Sequence, residues 1–93
     1  MNLSLRRVSL HIHGKVQGVF FRRESQREAL RLNLAGFVRN DPDGSVYAEA
    51  EGDSVKVGDF IRWCRSGPSN AVVDSVESQE MKSVGDKGFE VRF

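Results

Sequence analysis

Between Arg7 and Gly14 apolar and polar residues alternate without a break, with Val8, Leu10 and Ile12 on one face and Arg7, Ser9, His11 and His13 on the other. A two-residue period is that of a strand with one side turned to a core. Past Gly14 and Gly18 the period changes. Phe21, Ser25, Ala29 and Leu32 recur every three or four positions, while Arg23, Arg27 and Arg31 repeat along another face of the same run. That run is rich in strong helix formers, so a strand feeds a glycine loop and the loop feeds a helix. Leu30 stands off the apolar stripe.

Leu34 to Asn40 and Ser45 to Glu51 are short extended runs around Asp41-Pro42-Asp43-Gly44, a sequence with the residues of a tight turn, and they predict a hairpin. Either Asp53 or Ser54 can cap a second helix on which Val57, Phe60, Ile61 and Cys64 share a face, and Gly67-Pro68 ends it. Val72, Val73 and Val76 mark a strand of untidy register within Ala71 to Met81. After the turn at Gly85 to Gly88, Phe89, Val91 and Phe93 alternate with Glu90 and Arg92 as a short last strand. The order β-α-β-β-α-β plus a short C-terminal strand belongs to the α+β class. It predicts a ferredoxin-like split βαβ sandwich, a mainly antiparallel sheet with two helices on one face.

Composition narrows the setting. A length of 93 residues suits one domain spanning 1–93, and 39% hydrophobic with 29% charged residues is an ordinary globular balance. The net charge of +1 supplies no global field toward nucleic acid or an anionic membrane, so an anion has to be caught locally. With Cys64 as the one cysteine there is no intramolecular disulfide, and a reducing cytoplasm is the expected location. The longest apolar stretch, Val19-Phe20-Phe21, is far too short to span a bilayer. No long apolar edge or heptad marks an oligomer, and a monomer is expected.

The candidate chemistry lies in the glycine loop. Unpaired backbone N–H groups where a helix begins, together with the positive end of its dipole, favour an anion. Arg22 at the helix start can close such a nest with a planar fork of donors suited to phosphate oxygens. Lys15 lies in the same loop and can equally point to solvent. The segment lacks the Gly-Lys-Ser or Gly-Lys-Thr of a Walker loop and the dinucleotide Gly-x-Gly-x-x-Gly.

Gly14-Lys15-Val16-Gln17-Gly18-Val19-Phe20-Phe21-Arg22 resembles the acylphosphatase signature Gly-x-Val-Gln-Gly-Val-x-Phe-Arg. Gly36-Phe37-Val38-Arg39-Asn40, followed by Asp43-Gly44-Ser45-Val46, is similar to the second motif of that family and its hairpin. Glu51-Gly52 and Gly67-Pro68 extend the likeness over nearly the whole chain. The resemblance implies that Arg22 binds phosphate and that Asn40 orients the attacking water. It also implies that the backbone of Lys15, Val16, Gln17, Gly18, Val19, Phe20 and Phe21 forms the phosphate loop, with Gly14 and Ser25 supporting it. Phe37 stands where tryptophan is commoner in the family, and Asn33 where a glycine often ends the first helix. Asp41 follows Asn40 directly, and a carboxylate aimed at the pocket would repel phosphate. Strand alternation sends Asp41 to the face opposite Asn40.

The implied reaction is hydrolysis of small acyl phosphates to carboxylate and inorganic phosphate, without cofactor or metal. Phosphate or sulfate would occupy the same loop, and the acyl side has no recognisable pocket. A catalytically idle anion-binding or regulatory module is the rival reading, against which the retention of both Arg22 and Asn40 argues. His11 and His13 are read as polar residues of the non-core face, since no third histidine or second cysteine accompanies them and no carboxylate stands at a telling spacing. Cys64 is read as a buried thiol and the arginine repeat as a solvated face paired with Glu24 and Glu28. Nucleic-acid binding is not expected, because Ser9, His11, Tyr47 and Glu49 replace the aromatic-rich surface of an RNA-binding sheet.

Overall fold

The structure, a computed structural model, describes residues 4–93. Its elements follow in the order β1 (Leu5–Lys15), α1 (Phe21–Arg31), β2 (Ala35–Asn40), β3 (Val46–Asp53), α2 (Ser54–Ser66), β4 (Val72–Met81) and β5 (Phe89–Arg92). The strands form one sheet in the order β4-β1-β3-β2-β5, antiparallel throughout except for the parallel pairing of β2 with β5. The expected α+β sandwich is therefore present.

Period and packing agree on the inner face. Val8, Leu10 and Ile12 of β1 are fully buried and meet Ala48 and Ala50 of β3 and Val38 of β2 in one apolar cluster. Onto it α1 lays Phe21, Ser25 and Ala29, and α2 lays Val57, Phe60, Ile61 and Cys64. Phe60 sits edge-on to Phe89 of β5 at 5.7 Å, and Trp63 edge-on to Phe21 at 5.5 Å, so aromatic rings join the two helices to the sheet. Each large side chain buried in this way stabilises the fold by about 1.5–3 kcal/mol. Leu30, off the stripe, is exposed. Asp53 rather than Ser54 caps α2, its carboxylate accepting from the Lys56 N–H at 3.3 Å. Asn33 ends α1 with φ 58°, taking the left-handed conformation that asparagine tolerates better than most residues.

Two glycines are demanded by close backbone approach. A Cβ on Gly36, at φ 140°, would stand 1.9 Å from the Glu49 carbonyl oxygen of the neighbouring strand. A Cβ on Gly14, at φ 130°, would stand 2.2 Å from the Val72 carbonyl oxygen. The register of β1 against β4 shifts between His13 and Gly14, and the bulge carries β1 on to Lys15. The sequence places the strand end at Gly14, but the bulge keeps β4 alongside β1 and postpones the loop to Val16.

The outer face holds one position that alternation alone misreads. Arg7 belongs to the polar side of β1, yet it is only 4% exposed. Its guanidinium meets Glu49 at 2.7 Å, Glu51 at 3.1 Å and Asp86 at 3.4 Å. Glu51 also accepts the N–H groups of Val84 at 2.9 Å and Gly85 at 3.0 Å. The connection from β4 to β5 is thereby tied down over the sheet, and this delivers β5 to its place beside β2.

The Val84 N–H, then the Arg7 guanidinium and the Gly85 N–H, hold the Glu51 carboxyl below its ordinary range against the opposing effect of burial. A depressed carboxyl contributes stability that is complete above the unfolded value, about 4.3, and that drains away as pH falls through the folded value. Glu51→Gln is expected to cost about 2 kcal/mol at neutral pH, the scale of hydrogen bonds to a charged group. It is also expected to flatten the acid side of the stability profile. Urea unfolding of both proteins between neutral and acid pH measures the two effects together, and equal pH dependence would refute the assignment.

Candidate active site

Strand β1 leaves the sheet after Lys15, and residues 16–20 must carry the chain into α1. Val16 and Val19 are buried in the core cluster, which nails the loop down at two points three residues apart. The backbone between them faces outward. Phe20, the residue before α1, is left-handed at φ 64°, and no side chain caps the helix. Among the described residues the amides of Gln17, Gly18, Val19 and Phe20 donate to no backbone or side-chain acceptor. An uncapped helix start beside a run of free N–H groups favours negative charge by its own electrostatics.

Charge pairing singles out one arginine of α1. Arg23 and Arg27 share Glu24 at 3.2 and 3.3 Å, and Arg31 takes Glu28. Among the described residues Arg22 alone of the four has no carboxylate partner. Its Nη1 donates to the Arg92 carbonyl at 3.0 Å, and its guanidinium lies over the Phe93 ring at 4.6 Å. One N–H and one face are thus occupied and the charge remains free. Beneath it the buried Ser25 hydroxyl donates to the Arg22 carbonyl at 3.0 Å, steadying the first turn.

These groups line a single cleft of about 500 Å³. Val16, Gly18 and Phe20 of the loop form one wall, Arg22, Arg23 and Gln26 of α1 another, and Asn40 the end of β2. Val91 and Phe93 complete it with apolar surface. Of the site residues expected from sequence, Arg22, Asn40, Val16, Gly18, Phe20 and Phe21 come together here. Lys15 is exposed at the end of β1, Val19 is buried beneath the loop, and Gln17 is turned away from the cleft.

Gln17 explains how the two motifs meet. Its Nε2 donates to the carbonyls of Asp41 at 2.8 Å and Ser45 at 2.9 Å, the two ends of the β2–β3 turn. The side chain of the loop thus holds the hairpin on which Asn40 sits. Asp41, as alternation requires, points to the opposite side from Asn40. Its carboxylate takes Arg39 at 2.9 Å and lies 3.5 Å from His11 Nε2. That carboxylate is spoken for and outside the cleft.

Sequence gave no signal for Gln26 or Phe93 as cleft residues, because their positions depend on β5 lying beside β2. The Gln26 amide donates to the Phe89 carbonyl at 2.9 Å and braces that edge. Cys64 is fully buried, and burial pushes its thiol far up, out of the range of a nucleophile.

A family model for acylphosphatase matches residues 8–91. The chain belongs to the acylphosphatase family. An acylphosphatase of Rubrobacter xylanophilus is 48% identical over 88 residues, spanning 94% of this chain and 80% of that one. The acylphosphatase structure from Coxiella burnetii superposes with a TM-score of 0.91 at 33% identity, over 95% of this chain and 93% of its own. That from Bacillus subtilis gives 0.91 at 32% identity, over 97% and 100%. The activity is that of an acylphosphatase, a hydrolase of acyl phosphates.

Removing the Gln17 amide should leave the Asp41 and Ser45 carbonyls only their backbone donors, the N–H groups of Gly44 and Asp41, and let loop and hairpin drift apart. Gln17→Ala is expected to cost about 1–2 kcal/mol of stability. It should lower kcat/KM for benzoyl phosphate by about ten- to a hundredfold, as misplacement of a positioned group does in an oriented reaction. Denaturant unfolding and steady-state kinetics on the same preparation check both.

Proposed function

We propose that this acylphosphatase binds the phosphoryl group of a small acyl phosphate on the amides of residues 15–21 and on Arg22, and that Asn40 orients the attacking water. The observation that carries the reading is the free charge of Arg22 beside an uncapped helix start, in one cleft with Asn40. Two or three dispersed negative charges on phosphate oxygens match a backbone nest closed by a guanidinium fork. Asn40 is neutral, so it can hold a water near the phosphate without adding repulsion. Gly14 and Ser25 support the arrangement through the bulge and the first helical turn.

The step is in-line attack of water oxygen on phosphorus, with cleavage of the bond between phosphorus and the bridging oxygen. The bridging electrons leave with the carboxylate, one of the water's protons stays on the attacking oxygen and the other passes to a phosphate oxygen, giving carboxylate and dihydrogen phosphate. A carboxylate with a conjugate-acid pKa of about 4.3 departs without a general acid. Charge develops on equatorial oxygens of a loose transition state, where Arg22 and the loop amides can stabilise it without a metal. The apolar wall of Phe20, Val91 and Phe93 gives the acyl group a surface and no charged partner, which suits small acyl chains or rings.

We read the protein as a single acylphosphatase-like domain over residues 1–93, monomeric and cytoplasmic. The lone buried cysteine and an outer face closed by its own ion pairs support this. Among the described residues no helix is long and apolar enough to cross a membrane.

Arg22→Ala and Asn40→Ala are each expected to remove most benzoyl-phosphate hydrolysis while leaving the circular dichroism spectrum and unfolding midpoint near wild type. Arg22→Ala should lose about 3–4 kcal/mol of transition-state stabilisation, on the order of a hundred- to a thousandfold in rate. It should also weaken competitive inhibition by inorganic phosphate. Wild-type hydrolysis should persist in excess chelator. Near wild-type turnover by folded Arg22→Ala would sink the mechanism, and phosphate affinity without turnover in the unmutated protein would favour an idle anion-binding module.

A further inference from the structure

We propose that the outer face of the sheet carries a binding site for one divalent transition-metal ion, held by His11 and His13 of β1 and Glu77 of β4. The two histidines are two residues apart on one strand, so their imidazoles stand on the same side, with ring centroids 4.8 Å apart. The antiparallel pairing sets Glu77 directly opposite His11, and its carboxylate lies 3.1 Å from His13 Nε2. One ligand atom from each of the three side chains falls within 4.8 Å of the other two. Glu77 is 64 residues from His13 along the chain, so the sequence shows two histidines without their carboxylate.

Zinc ligands about 2.0–2.1 Å from the ion stand roughly 3.3 Å apart in a tetrahedron. The donors need to close in by up to about 1.5 Å, and the side chains of His13 and Glu77, 38% and 73% exposed, are free to do so. Among the described residues Glu77 pairs with no arginine or lysine. Asp41 and Asp43 also approach His11, but Arg39 holds the first and Ser45 the second. Two imidazoles and one carboxylate suit zinc, copper or nickel and leave a position for water. The all-oxygen preference of magnesium and calcium is not met. The face lies across the sheet from the helices, so the ion is no part of the hydrolytic step, and the proposal stands or falls apart from that mechanism.

The test is a calorimetric titration of metal-stripped full-length protein with zinc chloride, and with magnesium chloride in parallel. Wild type should bind one zinc ion and no magnesium. His13→Ala, which keeps the contact of His11 with Ser45, and Glu77→Gln should each weaken zinc by at least the tenfold to a hundredfold typical of losing even an outer-sphere partner. Both variants should hydrolyse benzoyl phosphate at the wild-type rate and keep the wild-type circular dichroism spectrum. Substoichiometric copper should broaden the NMR signals of His11, His13 and Glu77 ahead of all others. No saturable zinc binding by wild type, unchanged affinity in folded His13→Ala, or broadening centred elsewhere would overturn the proposal.

Discussion

The architecture of the cleft depends on one side chain that does not enter it. Gln17 spans from the loop after β1 to both ends of the β2–β3 turn, donating its two amide hydrogens to carbonyls that also accept the turn's own N–H groups. Loop and hairpin are neighbours only through the sheet order, in which β3 separates β1 from β2. The sheet sets their separation to within a strand spacing, and the Gln17 amide fixes the remainder. A site that relies on backbone N–H groups has no side-chain rotamers with which to correct a misplaced loop. Rigidity must therefore come from underneath, and Val16, Val19 and Gln17 provide it in a space of four residues.

The same economy governs charge. The protein carries nearly equal numbers of cationic and anionic residues, and most arginines are committed to carboxylates through short ion pairs. Against that neutralised background, an unpaired guanidinium next to uncapped amides is a local positive well. The Phe93 ring and the Arg92 carbonyl orient Arg22 without cancelling it, since neither carries a full negative charge. A carboxylate in either place would have fixed the arginine equally well and cancelled its charge. Arg39 serves the complementary purpose on the other side of the sheet, drawing Asp41 away from the residue it follows.

Periodicity made the fold legible wherever one face of an element is buried. Val8, Leu10 and Ile12, the stripe of α1 and the stripe of α2 are all inside, as their spacing says. It failed where burial is polar. Arg7 alternates like a solvent-facing residue, and only the arrival of Glu49, Glu51 and Asp86 from distant segments makes its position dry. The cleft was legible in part: two motifs named Arg22 and Asn40, but nothing local in the chain indicates that the Gln17 side chain turns to the hairpin or that β5 brings Phe93 over the arginine. His11, His13 and Glu77 belong to the same class of omission. Their relation is set by strand register, which a single sequence does not encode in any short window.

The left-handed Phe20 shows how local strain and site geometry are linked. A non-glycine residue in that conformation costs about 1–2 kcal/mol, and the chain has glycines to spare nearby. The turn it makes starts α1 with no side-chain cap, and a side chain there has a use that glycine lacks. The exposed ring supports Arg23, whose guanidinium lies 4.6 Å above it, and it walls the cleft against solvent. Excluding water from one side strengthens the field of Arg22 and the amides, because it is less screened. The strain is offset by the burial of Val19 and Phe21 on either side, while the Phe20 ring between them stays exposed at the cleft. A backbone that would be unfavourable in isolation is thus held by two anchors, and the surface it presents is the wall of the cleft that Arg22 and Asn40 share.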